Sequence, residues 1–247
     1  MPKLIFFDLD GTLAESKQPL DDEMSALLAK LLTRTDAAVI SGGLLSQFLK
    51  QVVGRLPIEA DFGRLHLLPT SGAALYEWHN DEWKKIYEER LSDKDAFHIQ
   101  DVMQSAAEET GIIDFAQPSW GERIENRGSQ VTLSALGQLA PIAEKKKWDP
   151  DHAKRRILLE KMAALLPDFL VSIGGSTSID ITKRGIDKAY GVHKLCDRLG
   201  VKEQDALYVG DELQSGGNDE AVYKTDIQTK PVKNPQDTKR IIEKLLA

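Results

Sequence analysis

The sequence predicts an α/β fold, a parallel sheet flanked by helices with a separate α+β unit inserted into it. Three observations carry this reading. An apolar run, Leu4-Ile5-Phe6-Phe7 with Leu9 just beyond, stops at Asp8, Asp10 and Gly11. That is the pattern of a strand buried on both faces that ends at the rim of a parallel sheet. Both ends of the chain alternate short apolar runs with stretches of helical periodicity. The middle breaks that rhythm with closely spaced alternating segments punctuated by Gly and Pro.

After the first strand, Asp21 to Arg34 sets Met24, Leu27, Leu28, Leu31 and Leu32 at helical spacing, which gives an amphipathic helix for one face of the sheet. Thr35-Asp36 ends it, and Ala37 to Ile40 is a second buried strand closing at Ser41-Gly42-Gly43. A helix over Leu44 to Val53 follows, then strands at His66 to Leu68 and Ala73 to Trp78, with Asn80-Asp81 as a hairpin turn. Strand, helix, strand, helix implies parallel pairing through right-handed crossovers. Ala96 to Thr110 reads as a helix, followed by strand-like segments at Ile112 to Ala116, Gly121 to Asn126 and Gln130 to Ser134. The polar stretch Glu144 to Asp151, with Lys146 and Lys147, reads as a solvated loop. A helix from Pro150 to Leu166 and strands at Phe169 to Ile173 and Ser178 to Ile181 complete an antiparallel sheet faced by two helices. The α/β pattern then returns. A helix over Asp187 to Leu199 precedes a strand over Asp205 to Val209 that ends at Gly210-Asp211. A short helix follows Gly216-Gly217, and Asp237 to Leu246 is a terminal helix. Breaks near Glu88 to Leu91 and Lys183 to Gly185 give a split unit, 1–88 with 185–247, and a continuous one, 89–184.

Composition narrows the function. A net charge of −7 argues against general affinity for nucleic acid or anionic membrane, so the expected partner is a small molecule. No stretch approaches the roughly 20 apolar residues of a membrane span, and Leu4 to Phe7 is too short for a signal peptide. The single cysteine, Cys196, excludes an intrachain disulfide, fits a reducing cytoplasm, and falls at an apolar helical position where it packs rather than reacts.

Three strands end in groups suited to phosphoryl transfer, which needs a nucleophile, a proton donor and cations on the non-bridging oxygens. Asp8 and Asp10 end the first. Ser41 ends the second, where its hydroxyl and the amides of Gly42 and Gly43 offer a phosphate cradle. Gly210-Asp211 ends the third, with Asn218-Asp219 soon after. Asp8, Asp211 and the Asp10 carbonyl make a hard-oxygen site for Mg²⁺, and Lys188 opens the helix before the third strand. Singly, each group reads as an ordinary turn, cap or surface residue; jointly their order and spacing point to phosphoryl transfer.

Asp8-Leu9-Asp10-Gly11-Thr12 resembles the DxDGT motif of the haloacid dehalogenase superfamily, whose enzymes pass a phosphoryl group through an aspartyl-phosphate. The resemblance implies that Asp8 is the nucleophile and Asp10 the general acid/base. It also implies a Rossmann-like core, 1–88 with 185–247, and an inserted α+β cap, 89–184, of the IIB subfamily type. A closer resemblance extends over the whole chain. Gly210-Asp211 with Ser215-Gly216-Gly217-Asn218-Asp219 is similar to the GDxxxxGGND signature of eukaryotic-type phosphomannomutases, and Asn234 to Thr238 resembles a segment near their C-terminus. Gly174-Gly175, Ser178-Ile179-Asp180 and Gly185-Ile186-Asp187-Lys188 are similar to their GGxxSFD and GWDK stretches. This implies that Ser178 and Asp180 touch the sugar phosphate and that Lys188 sits on the transferring phosphoryl group, with Asn218 close by.

The chain also departs from that family. Lys17 stands where its members carry an arginine, and of three cap arginines only Arg127 is matched, the others falling on Gln138 and Lys145. Neither lysine nor glutamine reproduces the two-pronged grip of arginine on phosphate. Ile124-Glu125-Asn126-Arg127-Gly128 further resembles a cap stretch of trehalose-phosphate and mannosyl-phosphoglycerate phosphatases. The expectation is therefore a Mg²⁺-dependent hexose-phosphate phosphatase. The alternative is a phosphomannomutase-like mutase, and a non-catalytic sugar-phosphate-binding protein stands third.

Overall fold

The computed structural model describes residues 1–247, which separate into two compact units, Met1–Glu88 with Asp187–Ala247, and Glu89–Ile186. In the first, seven strands lie in the order β11 (Gln228–Pro231), β10 (Ala206–Gly210), β1 (Leu4–Asp8), β2 (Asp36–Ile40), β3 (Leu65–Leu68), β4 (Ala74–His79), β5 (Glu82–Glu88). The first five are mutually parallel, and β4 and β5 form an antiparallel hairpin at the edge. Asn80 and Asp81 both take positive φ, 51° and 61°, as the tightest hairpin turn demands. The sequence shows that turn but neither β5 nor β11: β5 is crowded with charge, and β11, Gln228-Thr229-Lys230-Pro231, has no apolar run.

β1 shows why the sheet is central. Ile5 and Phe7 pack on one face with Met24, Leu28 and Leu31 of α1 (Asp22–Leu32), Phe48 of α2 (Leu45–Gln51) and Ile242 of α7 (Pro235–Leu246). Leu4 and Phe6 pack on the other with Val192, Leu195 and Cys196 of α6 (Lys188–Leu199). Strand side chains alternate, so a run of four large apolar residues requires helices on both sides. Each fully buried side chain of this kind contributes roughly 1.5–3 kcal/mol.

The second unit is a four-stranded antiparallel sheet, β6 (Ile124–Asn126), β7 (Gln130–Ser134), β9 (Ser178–Lys183) and β8 (Phe169–Ile173) in that order. One face is apolar through Val131, Leu133, Ile179 and Ile181, and packs on α3 (Asp93–Thr110) and α5 (Ala153–Leu165). Two expectations fail here. Ile112 to Ala116 is a turn rather than a strand. Helix α3 stops at Gly111 in the left-handed region, and Asp114 accepts from the Ala116 N–H at 2.9 Å, folding the chain back on itself. The stretch Glu144 to Asp151 is largely helical, not a loop. In α4 (Ile142–Trp148) the lysine at 145 turns inward to 6% exposure while Lys146 and Lys147 stay exposed, a one-sided burial that charge counting conceals. No helix is long and apolar enough to cross a membrane.

Candidate active site

The carboxyl ends of β10, β1 and β2 lie side by side, where open α/β sheets bind ligands. Asp8 closes β1 opposite Ile40, so Ser41 emerges on one flank; Phe7 pairs with Val209, so Gly210-Asp211 emerges on the other. Gly11 turns the chain at φ 92°, and a Cβ there would fall 2.3 Å from Asp211 Oδ2. Only glycine lets the loop pass that carboxylate. Buried Thr12 donates its hydroxyl to Asp211 Oδ1 at 3.1 Å.

Lys188 is the first residue of α6, whose cap is the Asp187 carboxylate accepting from the Tyr190 N–H at 3.1 Å. Its buried Nζ donates to Asp8 Oδ1 at 2.5 Å, Asp219 Oδ1 at 2.6 Å and Asn218 Oδ1 at 3.0 Å. Asp219 is wholly buried and also accepts from the Tyr208 hydroxyl at 2.6 Å and the Glu212 N–H at 3.1 Å. These acceptors hold the Lys188 ammonium in its charged form against the cost of burial, which works the other way. Burial pushes the Asp8 carboxyl up, Lys188 draws it down, and Asp219 and Asp211 push it up again. Asp211 is lifted to about 7, by burial first and then by Asp219 and Glu212. Burial, and then the carboxylates of Asp219, Asp8 and Asp211, push the Tyr208 phenol well above its ordinary value.

Carboxylate oxygens of Asp8, Asp211 and Asp219 lie within 4.8 Å of one another, and Asp8 Oδ2 is buried with no hydrogen-bond partner. One lysine against three acids leaves negative charge uncompensated, and an orphaned buried carboxylate oxygen is costly. The donor set, all hard oxygen, fits a divalent cation such as Mg²⁺. Asp219 spends its oxygens on Lys188, Tyr208 and Glu212, so Asp8 and Asp211 have the carboxylates better suited to the ion.

Asp10 points elsewhere. Its carboxylate accepts from the Lys17 N–H at 2.5 Å and from Gln47 Nε2 at 3.3 Å. Any metal role for Asp10 rests on its backbone carbonyl. A Cβ at Gly43 would fall 2.4 Å from Gln47 Oε1, so that glycine makes room for the carboxamide. Ser41 is buried and its Oγ accepts from the Gly43 N–H at 3.4 Å, with Gly42 between them. The loop is braced from below by a turn in which Thr70 and Ser71 take positive φ, 51° and 59°. Thr70 N–H donates to the Gly43 carbonyl at 3.0 Å and Ser71 N–H to the Ser41 carbonyl at 2.9 Å. The next residue, Gly72, packs backbone to backbone on Gly191 of α6, where a Cβ on either would come within 3.0 Å of the other's Cα. The same short turn therefore supports the Ser41 loop and the helix that carries Lys188.

The remaining residues singled out from the sequence lie in the second unit. Arg127 Nε donates to Glu125 Oε2 at 2.7 Å and Nη2 to Gln138 Oε1 at 3.2 Å, while Lys145 Nζ donates to the Gln138 carbonyl at 3.3 Å. Asp180 Oδ1 accepts from Thr132 Oγ1 at 2.7 Å, and Ser178 begins β9 opposite Ser134. Arg155, 2% exposed, donates to Asp149 Oδ2 at 2.8 Å and to the Gly175 carbonyl at 2.5 Å, tying α5 to the hairpin that presents Ser178 and Asp180. Sequence reading did not single out Thr12, Gln47, Tyr208 or Arg155, nor give Asp219 a role. Thr12 follows the acid motif directly and Asp219 adjoins Asn218, so both had a local signal. The other three matter only through contacts that folding creates.

Comparison with known proteins puts this arrangement in context. The chain is similar to phosphomannomutase of Encephalitozoon cuniculi, 27% identical over 99% of this chain and 94% of that protein. It is likewise similar to human phosphomannomutase 1, 26% identical over 95% of this chain and 88% of the other. Among solved structures it superimposes on the IMP-bound IMP-nucleotidase of Plasmodium falciparum with a TM-score of 0.72 at 15% identity, covering 99% of this chain and 68% of that one. That likeness is one of fold, and the fold is that of the haloacid dehalogenase superfamily. The family model of eukaryotic phosphomannomutase matches residues 24–247, all but the first strand, the loop after it and the first two residues of α1. With the acid motif completing that match at its N-terminal side, the chain belongs to the eukaryotic phosphomannomutase family.

Proposed function

We propose that this protein is an enzyme that moves a phosphoryl group between positions of a hexose phosphate, a phosphomannomutase-type mutase. The observation that carries the reading is the Lys188 ammonium held on Asp8 Oδ1 while the other Asp8 oxygen has no partner. A carboxylate oriented by a cation on one oxygen, with the other oxygen unpartnered, is arranged to attack phosphorus. Asp8 Oδ2 forms the bond to phosphorus, the bond from phosphorus to the sugar oxygen breaks, and Asp10 delivers a proton to that oxygen. In the return step a free hydroxyl of a hexose monophosphate gives its proton to Asp10 and takes the phosphoryl group from Asp8, so the sugar becomes a bisphosphate; its other phosphoryl group then passes to Asp8 in the same way and leaves the isomer. Lys188 offsets charge on the non-bridging oxygens throughout. Asp8, Asp211 and the Asp10 carbonyl would hold Mg²⁺, which supplies further charge neutralisation at the transferring group. In this reading 1–88 with 185–247 is the catalytic core, and 89–184 is a cap that selects the sugar through Arg127, Ser178 and Asp180. The single thiol, Cys196, is compatible with a reducing cytoplasm.

Family membership favours the mutase over the phosphatase expected from the cap residues. One observation keeps hydrolysis as the second reading: Arg127 is ion-paired to Glu125, and its neighbours at 138 and 145 are Gln and Lys. Retaining a bisphosphate intermediate asks for more fixed positive charge than that. The deciding experiment supplies mannose 1-phosphate, Mg²⁺ and a catalytic amount of hexose bisphosphate, and measures mannose 6-phosphate and free phosphate together. Isomer is expected to outrun phosphate, and Asp8→Asn to abolish both, because the amide keeps the shape but not the nucleophile. Phosphate outrunning isomer establishes the phosphatase. Neither product, or full activity in Asp8→Asn, removes both readings.

A further inference from the structure

Lys188 has three ammonium hydrogens and three acceptors in the structure, Asp8, Asn218 and Asp219. To serve a phosphoryl group on Asp8 it must stay on the Asp8 side of that set. The competitor is Asp219, fully buried and 2.6 Å from Nζ, and a buried carboxylate with a single cation holds it tightly. Asp219 does not have a single donor, however. The oxygen that takes Lys188, Oδ1, also takes the Tyr208 hydroxyl at 2.6 Å.

Tyr208 is fixed in that role by its surroundings. Its side chain is fully buried on β10, directly opposite Phe6 of β1, and the two rings stack with centroids 6.5 Å apart at 20°. The ring therefore cannot swing its hydroxyl to water. Gly210, two residues on, leaves the space in which the two groups meet: a Cβ there would fall 2.8 Å from Tyr208 Cε1 and 2.3 Å from Asp219 Oδ2. A phenylalanine would fill the same core position, so packing does not account for the hydroxyl.

We propose that Tyr208 is a positioning residue whose hydroxyl shares the charge of Asp219, so that Lys188 stays committed to Asp8 instead of being withdrawn into an exclusive ion pair. A donor on the shared oxygen lowers its pull on the ammonium, and hydrogen bonds of this charge-assisted kind are strong in a dry site. Losing the hydroxyl leaves substrate contacts in place and displaces only the charge that acts during transfer, so the effect falls on kcat rather than KM.

The inference rests on the proposed phosphoryl transfer through Asp8. The test is Tyr208→Phe in the full chain with Mg²⁺, mannose 1-phosphate and a catalytic amount of hexose bisphosphate, scoring phosphate and isomer together, beside Phe6→Leu. The latter keeps the hydroxyl and thins the ring contact. Tyr208→Phe should lower kcat about tenfold with KM within twofold, while Phe6→Leu lowers Tm and keeps kcat within twofold of the parent. Parental kcat in Tyr208→Phe, an equal kcat loss in Phe6→Leu, or a Tyr208→Phe chain that does not fold would each overturn the assignment, the last because it makes the hydroxyl structural. A parent protein that transfers no phosphoryl group fails at the earlier step and shows it before any variant is made.

Discussion

Burial among carboxylates lifts the Asp211 carboxyl from its ordinary 3.8 to about 7. The sign of the consequence follows from linkage. Between those values the folded chain binds a proton that the unfolded chain has released, so this residue's contribution to stability falls as pH rises through the window. Above about pH 7 the folded state carries the whole penalty of a buried, poorly compensated charge. In chelator at about pH 8, Asp211→Asn is therefore expected to raise Tm, because the amide can still accept from Thr12 and has no charge to bury. Mg²⁺ should raise the Tm of the parent but not of the variant. Differential scanning calorimetry decides it, and an equal Mg²⁺ shift in both proteins would show that the ion binds elsewhere. Sequence reading reached Asp211 at this scale because a Gly-Asp pair closing a buried strand is visible in one dimension. It could not reach Tyr208, which looks like any apolar strand residue until Asp219 is folded against it.

At the scale of elements, α6 shows how a helix can be placed by what it lacks. Gly191 has no side chain to hold it off, and its backbone reaches that of Gly72. An added Cβ would lie 2.9 Å from Ile40 Cδ1 and 3.0 Å from Gly72 Cα, and a backbone atom cannot swing aside. Gly191→Ala thus sets a gain in helix propensity of about 1 kcal/mol against an overpacking cost of about 1–3 kcal/mol. We expect a lower Tm and, if Lys188 acts in the proposed transfer, a loss in kcat of about tenfold or more, since it lies one turn away and small displacements of a catalytic group are expensive. Steady-state kinetics beside a thermal melt would check it; an unchanged kcat would mean that the contact does not set the lysine. The helices and the buried parallel strands were legible because their periodicities are strong. Strands β5 and β11 and helix α4 were not: charge hides the pattern in β5 and α4, β11 has no apolar run, and Lys145 buries a stem that sequence counts as solvent-facing.

For the whole molecule, the two units differ in how the chain supplies them. Residues 89–186 form one uninterrupted stretch with its own apolar core of α3, α5 and one sheet face, and every strand of that sheet pairs within the stretch. A fragment of those residues is expected to fold alone, with a helical and sheet signature by circular dichroism and a cooperative melt. A featureless melt would show that the core is insufficient. The change of rhythm in the sequence near residues 88 and 185 has a physical source, because parallel and antiparallel sheets impose different spacing on apolar residues.

The other unit is supplied from both ends of the chain. β1 takes β2 as a neighbour after a few dozen residues, but its second neighbour, β10, begins only at Ala206, and Lys188, Asp211 and Asp219 arrive in the last quarter. Synthesis runs from the N-terminus, so Asp8 is among the first residues made and its counter-ion Lys188 is made only after three quarters of the chain. A nascent or prematurely terminated chain that stops before residue 188 holds Asp8 without the ammonium that orients it. Under the proposed phosphoryl transfer, such a chain would carry the attacking carboxylate without the cation that orients it, so activity would arrive only with the last part of the chain to be made.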